Sequence, residues 1–335
     1  MMPCVIDAHT HFVPEHLPPL PGGALEKTWP SMAKGDSCDH RHVMVDGAVY
    51  RTVTNQCWST QRRIDDMRAS GVTHQVLSPM PELLSYWMNA RDAGVLHRYL
   101  NELMARIVAD QPGQFSALAA VPLQDVDAAI LELEHAAARL HLAGVEIGTN
   151  VNGIPIGAQQ FRPFFAAAER LGMAVFVHAI RPAGVDRLVG SPLLQPVLAF
   201  PGEVGLAAAS VITTNLMTTH PKLRLAFSHG GGSLGLLLPR LQHAWRSFDS
   251  LREQVPEAPL NQARRLFYDT LVYDRETLLF LLSRFGDDSL MIGSDYPFTI
   301  MEHDPVGRLA ETAAGAATLS KLRSQNADRF LGRRP

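Results

Sequence analysis

A (β/α)8 barrel is the fold that this 335-residue sequence predicts, and three observations predict it. Eight short apolar segments recur along the chain, helix-length amphipathic segments separate them, and four of the eight end in His or Asp. Alternation of this kind calls for parallel strands joined by helical crossovers. A doubly wound open sheet reads similarly, and eight units over this length favour the barrel.

Composition supports one large domain, 1–335, with a substantial core: 46% of residues are hydrophobic and 19% charged. The formal net charge is −3 and no basic block exceeds a pair of arginines, which argues against nucleic acid as a partner. No uninterrupted apolar run approaches the roughly 18 residues of a membrane span, so a membrane is not expected either. Cys4, Cys38 and Cys57 show no CxxC spacing, and the first residues lack a signal-peptide pattern. Together these predict a cytoplasmic protein without a disulfide framework.

The first strand is "CVIDAHTHFV", residues 4–13, with an apolar lead-in and a small residue at Ala8. Residues i and i+2 of a strand share a face, so His9 and His11 project to one side. Residues 12–57 then break the rhythm, being too long for an ordinary connection. They hold "PEHLPPLPGG" and "HVMVDGAVYRTV", the latter alternating around Asp46-Gly47 as a small β-hairpin does. This segment is expected to fold over the barrel mouth as a lid, because loops after barrel strands sit at the face where barrel sites form. A helix follows at 60–70 and a strand at 74–78; next come helix 95–111, strand 115–121, helix 126–140 and strand 143–148. The second half continues with helix 158–171, strand 173–178, helix 203–219, strand 223–229 and helix 235–252. Strand 266–272, helix 275–285, strand 290–295 and helix 305–316 complete the set.

In a parallel barrel every strand opens its C-terminal end on one face. His9 and His11 end the first strand, His178 the fifth in "FVHAI", His229 the sixth in "FSHGGG", and Asp295 the eighth in "IGSDYPF". Each histidine alone reads as an ordinary hydrogen-bonded residue. Converging as a set, three imidazoles and a carboxylate suit Zn2+, Mn2+ or another divalent ion of borderline character.

"DAHTHF", "FVHAI", "FSHGGGS" and "IGSDYPF", in this order, resemble the metal-dependent amidohydrolase superfamily. More narrowly they resemble its branch of aminocarboxymuconate-semialdehyde decarboxylase and related aromatic acid decarboxylases. The resemblance runs across nearly the whole chain, through "RRIDDMRASGVTHQVLS", "VEIGTNVNG", "HPKLRLAFSHGGGSLGLLLPRLQHAWR" and the final "NADRFLG". It implies that His9, His11, His178 and Asp295 hold one divalent ion, Zn2+ first and Mn2+ second, with a water at the open position. His229 would stand beside that water as general acid/base, working with Asp295. Arg51 in the hairpin and Arg240 in "LLLPRLQHAWR" would grip the carboxylate of a small-molecule substrate, for which a guanidinium is the natural group. Arg240 would do so across a homodimer or higher homo-oligomer. Trp87 and Phe298 are candidate aromatic walls of the pocket.

Two features depart from the best-known member of that branch. Ala179-Ile180 follows His178 where relatives carry Pro-Trp, and "RPAGVDRLVGSPLLQPVLAF" replaces a tryptophan-rich stretch. An aromatic wall becomes aliphatic, with an added cation at Arg181 or Arg187. The implied reaction is non-oxidative decarboxylation of a small unsaturated or aromatic carboxylic acid. The alternative is metal-dependent hydrolysis of a lactone, amide or related carbonyl compound, and a third reading is a barrel that only binds a ligand.

Overall fold

The computed structural model of the chain describes residues 4–20, 22 and 29–333. Residues 21 and 23–28 fall within the expected 12–57 lid, so that part of the expectation lies outside the described residues. In chain order the strands are β1 Ile6–Phe12, β2 Ser31–Lys34, β3 His40–Val45, β4 Ala48–Thr54, β5 His74–Pro79, β6 Phe115–Ala119 and β7 Gly144–Gly148. They continue with β8 Asn150–Val151, β9 Ile154–Pro155, β10 Ala174–His178, β11 Leu225–Phe227, β12 Phe267–Asp269 and β13 Leu290–Met291. Eight of them form one parallel sheet in the order β1-β5-β6-β7-β10-β11-β12-β13. The ends then meet. Ala8 N–H donates to Ile292 O at 2.8 Å, His11 N–H to Tyr296 O at 2.7 Å, and Asp295 N–H to His9 O at 2.9 Å. The chain is therefore a (β/α)8 barrel, as the alternation predicts.

Both faces of these strands are buried, which is why they read as nearly continuous apolar runs. Ile6, Ala8, Val76, Leu118, Phe176, Ala226 and Met291 fill the barrel interior. Leu77, Val145, Ile147, Val175, Val177 and Phe227 belong to a larger core with residues of the surrounding helices, Phe164 and Leu133 among them. Those helices include α1 Thr60–Ser70, α2 Ala90–Asp110, α3 Val126–Ala138, α4 Arg162–Leu171, α5 Phe200–Thr213, α6 Leu216–Thr219 and α7 Leu234–Ser247. The second helix begins five residues before the expected start, because Asn89 caps it by accepting from Asp92 N–H at 2.9 Å. The expected helix 203–219 breaks into α5 and α6 where Asn215 takes a left-handed φ of 60°. A continuous helical run, Gln195–Thr213, is long and apolar enough by length and composition to cross a membrane, with a mean hydropathy of 1.4. Its Val204, Ala207, Ala208 and Val211 pack into the core instead.

The insertion is an antiparallel sheet, β2-β3-β4. Its β3–β4 hairpin turns at Asp46-Gly47, both with positive φ (52° and 74°), as a two-residue primed turn requires. The third strand, β2, was not expected: "SMAK" is four residues long, none of them buried, with no apolar alternation. Val43 and Val53 pin this sheet to Met80, Leu83 and Phe298 near the barrel mouth.

Candidate metal centre

His9 and His11 both reach the barrel interior. Between Asp7↔Gln75 and Thr10↔Leu77 the register advances three residues on β1 against two on β5, so a bulge sits at the first histidine. Their Nε2 atoms lie 3.2 Å apart. His178 ends β10. Asp295 follows β13 with a left-handed φ of 64°, its amide tied to His9 O. One ligand atom from each of these four buried residues falls within 4.8 Å of all the others.

The far nitrogen of each imidazole is anchored. His9 Nδ1 donates to Asp269 Oδ2 at 2.7 Å, His11 Nδ1 to Pro79 O at 3.3 Å and His178 Nδ1 to Ala179 O at 2.9 Å. A carbonyl or carboxylate oxygen only accepts, so Nδ1 carries the proton and Nε2 presents a lone pair. His9 Nε2 and His11 Nε2 therefore face each other as two acceptors. Asp295 Oδ1, 2.9 Å from His11 Nε2, adds a third, and neither Asp295 Oδ1 nor His178 Nε2 has a hydrogen-bond partner. Buried lone pairs so arranged are unfavourable unless a cation sits among them, and the donor set fits a divalent metal. Burial above all holds His9 and His11 down to about 3 and His178 well below its ordinary value, so all three are neutral and ready to ligate.

His229 stands beside this cluster, its ring centre 5.1 Å from that of His178 and 5.6 Å from that of His9. Burial, then the neighbouring His178 and His9, push it down to about 3, so it too is neutral at physiological pH. Its backbone is left-handed, with φ at 54°, and the turn is held by Asp269. Oδ2 of that carboxylate accepts His229 N–H at 2.8 Å, and Oδ1 accepts Gly230 N–H at 2.7 Å. Asp269 closes β12 at the same rim, but it lies inside the expected strand 266–272 rather than at its end, so the strand-end pattern does not reach it.

A cavity of about 520 Å³ opens over the cluster. Arg51, on β4, lines it, with the guanidinium 4.1 Å from the Phe298 ring centre; Phe298 in turn stacks on His11 at 4.9 Å. His178, His229 and Asp295 form its floor, while Leu193, Pro196 and Val197 supply the aliphatic wall expected from the sequence. Glu82 and Tyr50 also line it, and neither was anticipated. Trp87 is not among the lining residues: it packs into the core and lies under Arg181, whose guanidinium is 3.5 Å from the ring centre. This contact takes both the expected aromatic wall and the added cation out of the cavity. Arg187 is exposed, and Arg240 is exposed on α7, away from the cavity of its own chain.

The family model described as Amidohydrolase matches residues 6–333. The 2-amino-3-carboxymuconate-6-semialdehyde decarboxylase of Dictyostelium discoideum is 34% identical over 333 residues, covering 98% of this chain and 92% of its own. The gamma-resorcylate decarboxylase of a Rhizobium species is 28% identical over 262 residues, 72% of this chain and 77% of its own. Among solved structures, a dihydroxybenzoic acid decarboxylase of Polaromonas, holding manganese and the inhibitor 2-nitroresorcinol, matches with a TM-score of 0.80 at 21% identity. That match covers 99% of this chain and 97% of the other, and it shows a shared fold. The metal-ready cluster, the barrel and these matches agree, and the chain belongs to the amidohydrolase family.

Proposed function

We propose that the protein is a metal-dependent, non-oxidative decarboxylase of a small aromatic or conjugated carboxylic acid. One observation carries this reading: a guanidinium, Arg51, shares a cavity with a four-ligand cluster and with His229. An anion-binding group beside an acid/base and a metal centre suits an acidic substrate. The relatives described above, decarboxylases by name, support it.

His9, His11, His178 and Asp295 hold the ion, Zn2+ ahead of Mn2+, which when bound supplies Lewis-acid stabilisation of charge on a substrate oxygen. Arg51 orients the leaving carboxylate, and Phe298 offers its ring edge and face to the substrate's apolar body. His229 relays a proton from water, assisted by Asp295, to the carbon that bears the carboxylate, and the hydroxide left by that water takes up the departing CO2 as bicarbonate. The substrate's π electrons form the new C–H bond, which interrupts conjugation at that carbon; the C–C bond to the carboxylate then breaks and its electron pair restores the conjugation as CO2 leaves. The 12–57 segment acts as the lid that brings Arg51 into place within a single 1–335 domain.

Assembly completes the site. Leu236 is 75% exposed on α7, one turn before Arg240, beside a half-exposed Leu237, and Leu193 is 77% exposed at the cavity's edge. The exposed apolar pair on α7 suits a homodimer contact that sends Arg240 into the partner's cavity. Three unpaired cysteines, Cys4, Cys38 and Cys57, are consistent with the cytoplasm.

The test is CO2 release by metal-loaded protein from aminocarboxymuconate semialdehyde and from a panel of ortho-hydroxybenzoates. Release from at least one is expected, and His229→Ala should lower it by roughly 10²-fold or more while metal content holds. Unchanged turnover in that variant removes His229 from the mechanism. Silence across the panel, with lactones or amides cleaved instead, replaces decarboxylation by hydrolysis.

A further inference from the structure

Arg51 accounts for a substrate carboxylate, yet the same cavity holds a carboxylate of the protein's own. Glu82 sits in the turn Pro81–Leu84 that follows β5 and lines the cavity with Arg51, His178 and His229. Outside the proposed metal cluster it is, among the described residues, the single acidic side chain lining that cavity. Such a group repels an acidic substrate unless something on the substrate compensates.

The local bonding leaves it available. Tyr50 Oη donates to Glu82 Oε1. Burial and the adjoining Glu82 hold the phenol well above its ordinary value, so it remains a donor and leaves the carboxylate an acceptor. Among the described residues Glu82 has no ion-pair partner, and no hydrogen bond reaches its Oε2. A fixed acceptor with one oxygen free, in a cavity that also presents the apolar side chains of Val53, Leu193, Val197 and Phe298, is built for a ligand's donor.

We propose that Glu82 is a specificity residue that accepts a hydrogen bond from an N–H or O–H substituent of the substrate. The preferred substrate is then an aromatic or conjugated acid with an amino or hydroxyl group in addition to the carboxylate held by Arg51. This rests on the decarboxylase reading for its reaction, but not for its binding contact. A hydrogen bond to a charged group, lost with its partner left unpaired, changes affinity by roughly 10- to 100-fold.

The experiment measures binding and turnover separately on full-length, metal-loaded protein. Ortho-hydroxybenzoates carrying an amino, hydroxyl or methyl group at each remaining ring position are titrated by calorimetry, and CO2 release is followed on the same series. Wild type should bind an amino or hydroxyl compound at one position roughly 10- to 100-fold more tightly than its methyl counterpart. The two donor arms show which group is read. Glu82→Leu should erase that preference by weakening only the donor compound, whereas Glu82→Gln, whose amide oxygen still accepts, should keep part of it. A preference that survives Glu82→Leu overturns the proposal. So does an equal loss for both compounds, which would make Glu82 a strut for Tyr50 and the lid. If Glu82→Leu fails to fold, the partial preference expected of Glu82→Gln decides, and a wild-type preference left whole in that variant counts against the proposal. Donor preference without CO2 release keeps Glu82 as a specificity residue and defeats the decarboxylase reading, and release without preference does the reverse.

Discussion

Asp269 connects the two halves of the site. Its carboxylate receives His9 Nδ1 on one side and the backbone of His229, Gly230 and Leu271 on the other, four donors in all. The first contact sets the tautomer of His9, a proposed ligand, and the others set the turn that presents His229. Asp269→Asn places an NH2 against at least one of those donors. Metal affinity should fall roughly 10- to 100-fold, read by competition with a chelator, while an affinity within about twofold of wild type would show that His9 is oriented without Asp269. The clustering of the four residues proposed as ligands was legible because each stands at the C-terminal end of an apolar segment, a pattern a linear sequence displays. Asp269 closes the observed β12, but in the sequence it falls inside the expected strand 266–272, and a carboxylate between Tyr268 and Thr270 in "FYDT" carries no motif of its own. Trp87 misled for a different reason: nothing in "SYW" shows that Arg181, ninety-odd residues on, will cover the indole.

The glycines after His229 act as an element rather than as loose loop. Gly230, Gly231 and Gly232 all take positive φ, at 62°, 76° and 57°. A Cβ on Gly230 would meet Leu281 at 2.6 Å, one on Gly231 the Tyr268 ring at 2.6 Å, and one on Gly232 the carbonyl oxygen of Pro201 at 2.0 Å. The turn is thus packed against α5 and β12, and a backbone oxygen cannot move aside as a side chain can. Gly232→Ala should cost about 2 kcal/mol or more in thermal unfolding and lower turnover with it. Gly202→Ala, in α5 with open space around its Cα and no positive φ, is the control and should be neutral or slightly stabilising. Equal stability of the two variants would mean that the turn relaxes freely. Boundaries of this kind resist sequence reading, since apolar period marks where a strand is buried and not where it turns. The eighth strand shows it: in "LMIGSD" the apolar run continues through Ile292, yet regular pairing stops at Met291 and the chain swings to Asp295.

At the scale of the molecule, the alternation of buried strands with amphipathic helices made the barrel readable, because parallel strands hidden on both faces leave an unmistakable apolar rhythm. The surface leaves none, so Arg240 could be placed on a helix but not given a destination. In one chain it is exposed, next to Leu236 and Leu237, and is not among the residues lining the cavity with the Arg51 it is proposed to assist. An isologous dimer through α7 gives each cavity the other chain's arginine. Wild type should then sediment at twice 36.7 kDa, and the double variant Leu236→Asp, Leu237→Asp at 36.7 kDa with activity lost. Complementation separates a shared site from mere stabilisation. Arg240→Ala and His229→Ala should each be inactive alone. When they are unfolded and refolded together, mixed dimers gain one site with its own His229 and the partner chain's intact Arg240. Random pairing makes about half the dimers mixed with one complete site in each, so activity should return to about a quarter of wild type. No recovery in a mixture that sediments as a dimer would confine Arg240 to the surface of its own chain.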